Sequence, residues 1–451
     1  MVSNTHRRII VFGAGKSGLA LVRHFCALGA EVVLTDRRSD ADLGDVPATC
    51  GDRLKLALGY HDPGLLAGAD LIALSPGVPS DLPLLQQARQ MGIPVWGEVE
   101  IASRNLAAPM VAITGTNGKS TTTALCGEMF RSGGFATFIG GNLGTPLIEA
   151  VTGSWQWLVV ELSSFQLETI ETFRPRYAML LNVSEDHLDR YDSMDDYLAA
   201  KCRIFENQSD GDVAILNAAD PVVRSLAGSL GSRVVFFSSE SELDEGMCLG
   251  ADGRIVWRWQ GTERSFDPAE LQLRGRHNIE NVMAALIPPL LEGVASDAAW
   301  RAACAFTGLP HRMQLVRRRN GVDWINDSKG TNVGSVARSL AGLDAPVTLI
   351  AGGKDKGGDF AALAPLVRGR VTSMLLIGEA AERIARELAG CCDIEVCDSL
   401  EQAVRRAALL TPAGGTVLLS PGCSSFDMFA SFEQRGDIFA RLVEALPGEG
   451  A

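Results

Sequence analysis

Residues 110–130 read MVAITGTNGKSTTTALCGEMF: an unbroken apolar run, a glycine loop and then a helical stretch. An apolar run without polar alternation is a strand covered on both faces, which means a parallel sheet with helices above and below it. The loop at Gly115, Thr116, Asn117, Gly118, Lys119, Ser120 and Thr121 has the make-up of a phosphate cradle. Glycines let backbone N–H groups wrap an anion, a lysine neutralises its charge, and a hydroxyl reaches a metal ion. The loop departs from the full G-x-x-x-x-G-K-[ST] pattern only at the first position, which is Ile113.

The same alternation runs along the chain. RRIIVFG, EVVLTD, DLIALSPG, WLVVELSS, YAMLLNVS, DVAILN, RVVFFS, VTLIAGG, SMLLIG and TVLLSPG alternate with helical stretches such as 19–28, 83–91 and 400–410. The fold class is therefore α/β. A chain of 451 residues exceeds a single core. Composition shifts at SRNLAAPM and FTGLPHRMQ divide it into domains at 1–107, 108–309 and 310–451. Residues 246–266, with Trp257 and Trp259, read as a β excursion without chemistry of its own.

Composition narrows the function. A formal charge of −13 argues against broad nucleic-acid or membrane-surface binding. No apolar run reaches the roughly 18 residues of a membrane span. The N-terminal MVSNTHRRIIVFGAG enters a strand with no signal segment, so a cytoplasmic protein is expected. The ten cysteines include no Cys-x-x-Cys, and Cys391 and Cys392 are adjacent, so reduced and mostly buried thiols are expected.

A second glycine loop, Gly13-Ala14-Gly15-Lys16-Ser17-Gly18, follows the first strand, and the next strand ends in Asp36. This G-x-G-x-x-G arrangement suits a dinucleotide or an unliganded tight turn. Lys16, Arg37 and Arg38 add positive charge, and LSPGVP at 74–79 brings another glycine loop to the same sheet edge. That edge suits a diphosphate, and nothing in it specifies a nicotinamide. Near the first loop described, Glu161 in ELSSFQLE and His187 in NVSEDHLDRY end consecutive strands. Both come to the carboxyl edge where α/β sheets bind ligands. A hard Mg²⁺ ion wants the oxygen of Glu161, whereas His187 suits substrate orientation or a second ion.

These motifs together resemble the Mur ligase family, ATP-dependent enzymes that add amino acids to the cell-wall precursor UDP-N-acetylmuramate. The resemblance rests on GTNGKST, GGNLG, ELSSFQLE, NVSEDHLDRY, GRHNIEN, GLPHRMQ, NDSKGTN and SPGCSSFDMFASFEQRGDIF, and so covers nearly the whole chain. ELSSFQLE and NDSKGTN point to the glutamate-adding member. The resemblance implies a Rossmann-like N-terminal domain, a central P-loop ATPase-type α/β domain and a Rossmann-like C-terminal domain. It implies ATP, two Mg²⁺ ions, UDP-N-acetylmuramoyl-L-alanine and glutamate as ligands, with D-glutamate the family expectation, and a monomer as the default.

Residue roles carry over position by position. Lys119 and Ser120 match the phosphate and Mg²⁺ contacts, and Asn278, Asn281, Arg312 and Asp327 match ATP contacts. Ser120, Glu161, His187 and Lys201 match metal-site positions, and Lys201 in YLAAKCRIFEN matches the family lysine that is carbamylated. Ser17, Asp36, Arg37, Arg38, Ser75 and Gly77 fall where the family holds uridine diphosphate. Asn142, Ser163 and Gln166 fall at nucleotide or muramoyl contacts. Lys329, Thr331, Lys356, Ser425 and Phe432 surround the glutamate position. Lys16 is a departure from the family loop, and GGKDKGGDF offers both Lys354 and Lys356, of which Lys356 matches by position. His311 reads as a hinge residue.

Three other functions fit parts of the sequence. A folylpolyglutamate synthetase shares the phosphate loop and glutamate transfer, but the UDP-type first domain and ELSSFQLE oppose it. A nicotinamide oxidoreductase rests on GAGKSG alone and leaves Glu161 and His187 unexplained. A non-catalytic nucleotide switch leaves the lysines and serines of the last domain without a role.

Overall fold

The computed structural model describes residues 8–184, 190–273, 275–355 and 357–447. Two compact units divide at Phe306 and Thr307. The described residues of the first unit form two sheets and those of the second form one.

The first sheet has the strand order Leu54–Leu58, Glu31–Asp36, Arg8–Phe12, Leu71–Leu74, Val95–Gly97, all parallel. The order reverses between Arg8–Phe12 and Leu71–Leu74, which opens a crevice at their carboxyl ends. The glycine loop at 13–18 and the loop after Leu74 meet there. A Cβ on Gly13 would lie 2.9 Å from Ser75 Cβ, and one on Gly18 would lie 1.8 Å from the Gly13 carbonyl oxygen. Only glycine lets the helix Lys16–Ala27 seat this closely on the turn. The helix begins at Lys16 rather than at 19, because Leu19 N already donates to Gly15 O.

The central sheet contains nine strands among the described residues. Thr137–Gly141, Trp157–Glu161, Met110–Thr114, Tyr177–Leu180, Val213–Asn217, Arg233–Ser238 and Gly246–Leu249 run parallel. Ile255–Trp259 and Thr262–Phe266 continue it antiparallel, which accounts for the β excursion around Trp257 and Trp259. Met110 and Ala112 face one apolar cluster while Val111 and Ile113 face another, so the central strand is buried on both sides. The first of these clusters also contains Ile9, Val11 and Leu34 from the N-terminal sheet and Phe25 from the helix Lys16–Ala27. The two sheets of the first unit therefore share one core.

The helix Glu98–Ser103 carries the chain from one sheet to the other and is fixed by two carboxylates. Glu100 is fully buried and accepts from Glu171 N at 2.8 Å, Thr172 Oγ1 at 2.6 Å, Phe173 N at 3.0 Å and Arg104 Nε at 2.6 Å. Glu98 accepts from the turn at 147–152: its Oε1 takes Ile148 N at 2.6 Å, while its Oε2 is buried without a hydrogen-bond partner among the described residues. Burial pushes this carboxyl up to about 7 against the opposing pull of the Ile148 and Leu147 N–H groups.

The second unit is a six-stranded sheet of order Gln314–Arg319, Val322–Asn326, Thr416–Leu419, Val347–Gly352, Val371–Ile377, Asp393–Val396, with only the first pair antiparallel. Apolar clusters cover both faces. All ten cysteines are free thiols, and burial raises those of Cys126 and Cys202. Among the described residues no helix is long and apolar enough to cross a membrane.

Glu98 holds its proton more tightly folded than unfolded. Its contribution is favourable at low pH and is lost as pH rises from 4.5 to about 7. Glu98→Gln removes that slope, so it should stabilise the protein by up to about 3 kcal/mol at pH 8 and by almost nothing at pH 4. Equilibrium denaturation at the two pH values checks this.

Candidate active site

Three consecutive strand ends build the central site. Met110–Thr114 leads into the phosphate loop, Trp157–Glu161 ends at Glu161, and Tyr177–Leu180 leads to Asn182. Gly118 has φ +84° and caps the helix Lys119–Ser132, and a Cβ on it would stand 2.2 Å from Asn281 Oδ1. The turn is thus reserved for glycine by both conformation and space. Asn182 clamps the loop: its carbonyl accepts from Thr116 N at 3.0 Å, its Oδ1 from Asn117 N at 2.8 Å, and its Nδ2 donates to Asn117 O at 3.1 Å. Sequence reading passed over Asn182, although an amide at a strand end beside a phosphate loop was the available signal.

Lys119 Nζ donates to Gly115 O and Thr116 O, each at 2.9 Å. Lys201, only 1% exposed on the helix Met194–Cys202, donates to the same Gly115 oxygen at 2.9 Å. Its ammonium also sits 4.4 Å from the centre of the Tyr197 ring. Two cations on one carbonyl repel each other, and an anion bound beside them offsets that repulsion. Ser120 is buried at the helix start, where the helix dipole attracts negative charge. Thr121, next along, is half-buried.

Glu161 is 2% exposed. Its Oε1 accepts from Asn142 Nδ2 at 2.6 Å, and its Oε2 is buried without a hydrogen-bond partner. An orphaned carboxylate oxygen beside a phosphate loop fits a hard cation. Among the described residues no three metal-binding side chains cluster. His187 and Lys356 lie outside the described residues. Asn281 accepts from Thr122 Oγ1 at 3.3 Å and donates to Asn278 Oδ1 at 3.3 Å, so GRHNIEN stands against the phosphate-loop helix.

Ser163 and Gln166 bind each other in the first place. Ser163 Oγ accepts from Gln166 N at 3.2 Å while Gln166 Oε1 accepts from Ser163 N at 2.9 Å. This is a capping box for the helix Ser164–Leu167.

At the first-sheet crevice Asp36 is similarly committed. It accepts from Ala14 N at 2.7 Å, from Arg38 N at 2.8 Å and from the Arg38 guanidinium at 3.1 Å. Burial pushes its carboxyl up, but these bonds outweigh it and hold the group down at about 2. Asp36 thus shapes the glycine loop. Ser75 is buried behind Gly13, while Ser17 is half-buried and Arg37 exposed. Gly77 has open space around its Cα. Lys16 Nζ donates to Gly144 O at 2.5 Å, so the departing lysine reaches the GGNLG turn of the central sheet.

In the second unit, Asp327 follows the strand Val322–Asn326 and accepts from Ser339 Oγ at 2.7 Å and Ser420 Oγ at 2.8 Å. Burial raises its carboxyl above the usual range. Arg312, two residues after Pro310, is half-buried. Lys329 Nζ lies 5.2 Å from the centre of the Phe432 ring, Thr331 is half-buried nearby in sequence, and Ser425 is buried in the loop after Thr416–Leu419. His311 is buried with φ +62°, and its Nδ1 lies 3.1 Å from Asn326 Nδ2.

The arginine of FEQRGDIF joins these pieces. Arg435 is fully buried, with Nε on Ser328 Oγ at 3.0 Å, Nη2 on Ser328 O at 2.9 Å, and further bonds to Cys423 O and Ser424 O at 3.3 Å. Burial lowers it to about 10, which leaves it charged at neutral pH. It pins the loop of Lys329 to the loop of Ser425. Sequence reading did not single it out.

With this geometry in view, comparison with known proteins is direct. The Mur ligase middle domain matches residues 113–288, the Mur ligase MurD-like N-terminal domain 7–97, and the Mur ligase glutamate ligase domain 311–423. The UDP-N-acetylmuramoylalanine–D-glutamate ligase of Syntrophotalea carbinolica is 58% identical over 452 residues, covering 100% of both chains. This chain belongs to the Mur ligase family. A second Mur ligase of the same name, from Geobacter metallireducens, is 51% identical over 98% of both chains. The solved UDP-N-acetylmuramate–alanine ligase of Thermotoga maritima shares the Mur ligase fold with a TM-score of 0.61 at 18% identity, over 97% of this chain and 99% of that one.

Arg435→Lys cannot reproduce a five-donor fork. It should destabilise the unit from Thr307 onward by about 3 kcal/mol, read by chemical denaturation followed at Trp324, which packs 6.3 Å from Phe439.

Proposed function

We propose that this Mur ligase joins the amine of D-glutamate to the alanyl carboxylate of UDP-N-acetylmuramoyl-L-alanine, driven by ATP, during peptidoglycan precursor synthesis. The observation that carries the reading is the full-length 58% identity to a relative named for that reaction, in a chain whose two cations converge on the phosphate loop. The use of ATP and a nucleotide sugar supports a cytoplasmic location.

The carboxylate is a poor acyl donor, because its oxygen leaves badly. In the proposed path the alanyl carboxylate attacks the γ-phosphorus of ATP, ADP departs, and an acyl phosphate forms. The glutamate amine then attacks the acyl carbon, the nitrogen loses a proton, and inorganic phosphate leaves. The barrier of the first step is electrostatic, since an anion approaches a polyanion. Lys119 and the N–H groups of the loop at 115–120 would bind the charge that moves toward the β-phosphate.

Ser120 and Glu161 are the residues that would hold Mg²⁺, with His187 and Lys201 at the further metal positions. Bound there, Mg²⁺ would neutralise phosphate charge. Carbamylation of Lys201 would turn a repelled ammonium into an oxygen ligand, and its contact with Gly115 puts it in reach of the loop. Asn278, Asn281, Arg312 and Asp327 are the proposed ATP contacts. Ser17, Arg37, Arg38, Ser75 and Gly77 would hold the uridine diphosphate on a loop shaped by Asp36, with Asn142, Ser163 and Gln166 further along the muramoyl chain. Lys329, Thr331, Lys356, Ser425 and Phe432 would receive glutamate, where a cation suits a dicarboxylate. These assignments follow segments at 1–107, 108–309 and 310–451.

The direct test is phosphate release from ATP. It should require both UDP-N-acetylmuramoyl-L-alanine and glutamate, with D-glutamate preferred over L-glutamate; release with folate in place of the nucleotide sugar, or with neither acceptor, overturns the reading. The two Gly-Lys-Ser sequences should also differ in weight. Lys119→Ala should lower kcat by at least about a thousandfold, whereas Lys16→Ala should raise the KM for the UDP substrate only a few-fold.

A further inference from the structure

One carboxylate that the proposed reaction does not use joins loops of the two sheets of the first unit. Glu168 ends the helix Ser164–Leu167. Its Oε2 accepts from Ser80 Oγ at 3.1 Å and from Arg190 Nη2 at 2.8 Å, and its Oε1 accepts from the Tyr191 hydroxyl at 2.6 Å. Ser80 lies in the loop after Leu71–Leu74, the same loop that sets Ser75 against Gly13. Arg190 and Tyr191 belong to the central segment, so Glu168 is bonded to both sheets' loops at once.

From Tyr191 the contacts continue inward. The Arg190 guanidinium stands 4.0 Å from the centre of the Phe165 ring, and Phe165 stacks on Tyr191 at 6.0 Å. Tyr191 meets Tyr197 at 5.3 Å, the Lys201 ammonium lies over Tyr197, and the Tyr197 hydroxyl is 3.4 Å from Thr116 Oγ1. Thr116 in turn accepts from Ser184 N at 3.0 Å. The path from Ser80 thus ends on the phosphate loop and on Lys201. The pair is partly shielded, with 16% of the Glu168 side chain and 20% of Arg190 exposed, so its charge attraction is not washed out by solvent. Burial and the Glu168 bond both raise the Tyr191 hydroxyl, which keeps it a donor at any working pH. The backbone around Glu168 is gripped as well: Arg203 donates to Glu168 O at 2.5 Å and to Ile170 O at 2.7 Å, and Gly97 N donates to Thr169 O at 3.3 Å.

We infer that Glu168 is a positioning residue: through Ser80 on one side and Arg190 and Tyr191 on the other, it couples the loop of the first-sheet crevice to the Tyr197–Lys201 face of the phosphate loop. The kinetic consequence rests on the function proposed above; the structural consequence does not. Glu168→Gln keeps the shape and one acceptor but loses the charge that balances Arg190. Ser80→Ala leaves the central partners intact and removes only the Glu168 side chain's bond to the first-sheet loop.

Amide hydrogen exchange on the full, unliganded chain tests the coupling without reference to activity. Exchange across Met194–Cys202 should quicken by roughly threefold or more in Glu168→Gln, and detectably in Ser80→Ala, with the strands of the second unit unchanged. Exchange unchanged at Met194–Cys202 overturns the inference, and so does a quickening spread evenly over both units. In turnover, Glu168→Gln should lower kcat about tenfold and raise the KM of the UDP substrate several-fold while the KM for ATP stays within about twofold. Equal changes in both KM values, or rates within about twofold of the parent, also overturn it. A parent that releases no phosphate would sink the proposed function and leave the exchange result to decide the coupling.

Discussion

The carbonyl oxygen of Gly115 accepts from two lysine ammonium groups, and the first unit is arranged around that concentration of positive charge. Neither lysine reaches the oxygen unaided. Lys119 is delivered by the turn that Gly118 permits, and Lys201 by the helix Met194–Cys202, whose Tyr197 supplies the ring beneath it. The strand order leaves Met110–Thr114 between Trp157–Glu161 and Tyr177–Leu180, so the orphaned oxygen of Glu161 and the clamp of Asn182 flank the same loop. An arrangement that sets two cations on one carbonyl, with one carboxylate oxygen of Glu161 lacking a hydrogen bond beside them, suits an anion and a metal ion.

Much of this was legible in the sequence, and the exceptions share a cause. Strands such as MVAIT and WLVVE are unbroken apolar runs because both faces are covered, and they read plainly. The strands Leu54–Leu58, Asp393–Val396 and Gln314–Arg319 lie at sheet edges, carry polar residues and escaped notice. The glycine loop at 115–121 is local, so its strand–turn–helix setting reads from spacing alone. Ser163 and Gln166 also bind each other, and Asp36 also binds Ala14 N on the neighbouring loop, bonds that the residue pattern does not display. Arg435 meets Ser328 and Cys423, which no periodicity connects to it. Glu100 likewise gains its meaning only from residues 171–173. Bonds that span long stretches of chain are set by topology, and topology is the part of a fold that residue patterns specify least directly.

Two kinds of carboxylate recur in the first unit. Glu100 and Asp36 are saturated with donors and fix backbone in place. Glu98 and Glu161 each keep one buried oxygen without a partner. Burial costs a charged group several kcal/mol unless something offsets it, and the two remedies differ. Glu98, joining the sheets, is eased by holding a proton, whereas Glu161, facing the phosphate loop, is suited to a cation.

The core shared by the first two sheets has a consequence for how such chains can be recombined. Ile9, Val11 and Leu34 pack in the same cluster as Ala112, Leu158 and Val160, and the turn at 147–152 is held by a carboxylate from the connecting helix. A hybrid that exchanged only the N-terminal sheet between relatives would mate two apolar faces shaped by different partners and leave Glu98 facing a foreign turn. The segment that can be grafted without opening a wound in the interior runs to Phe306. Diversification of the crevice end has to proceed by reshaping the loops at 13–18 and 74–82, while the faces beneath them stay matched.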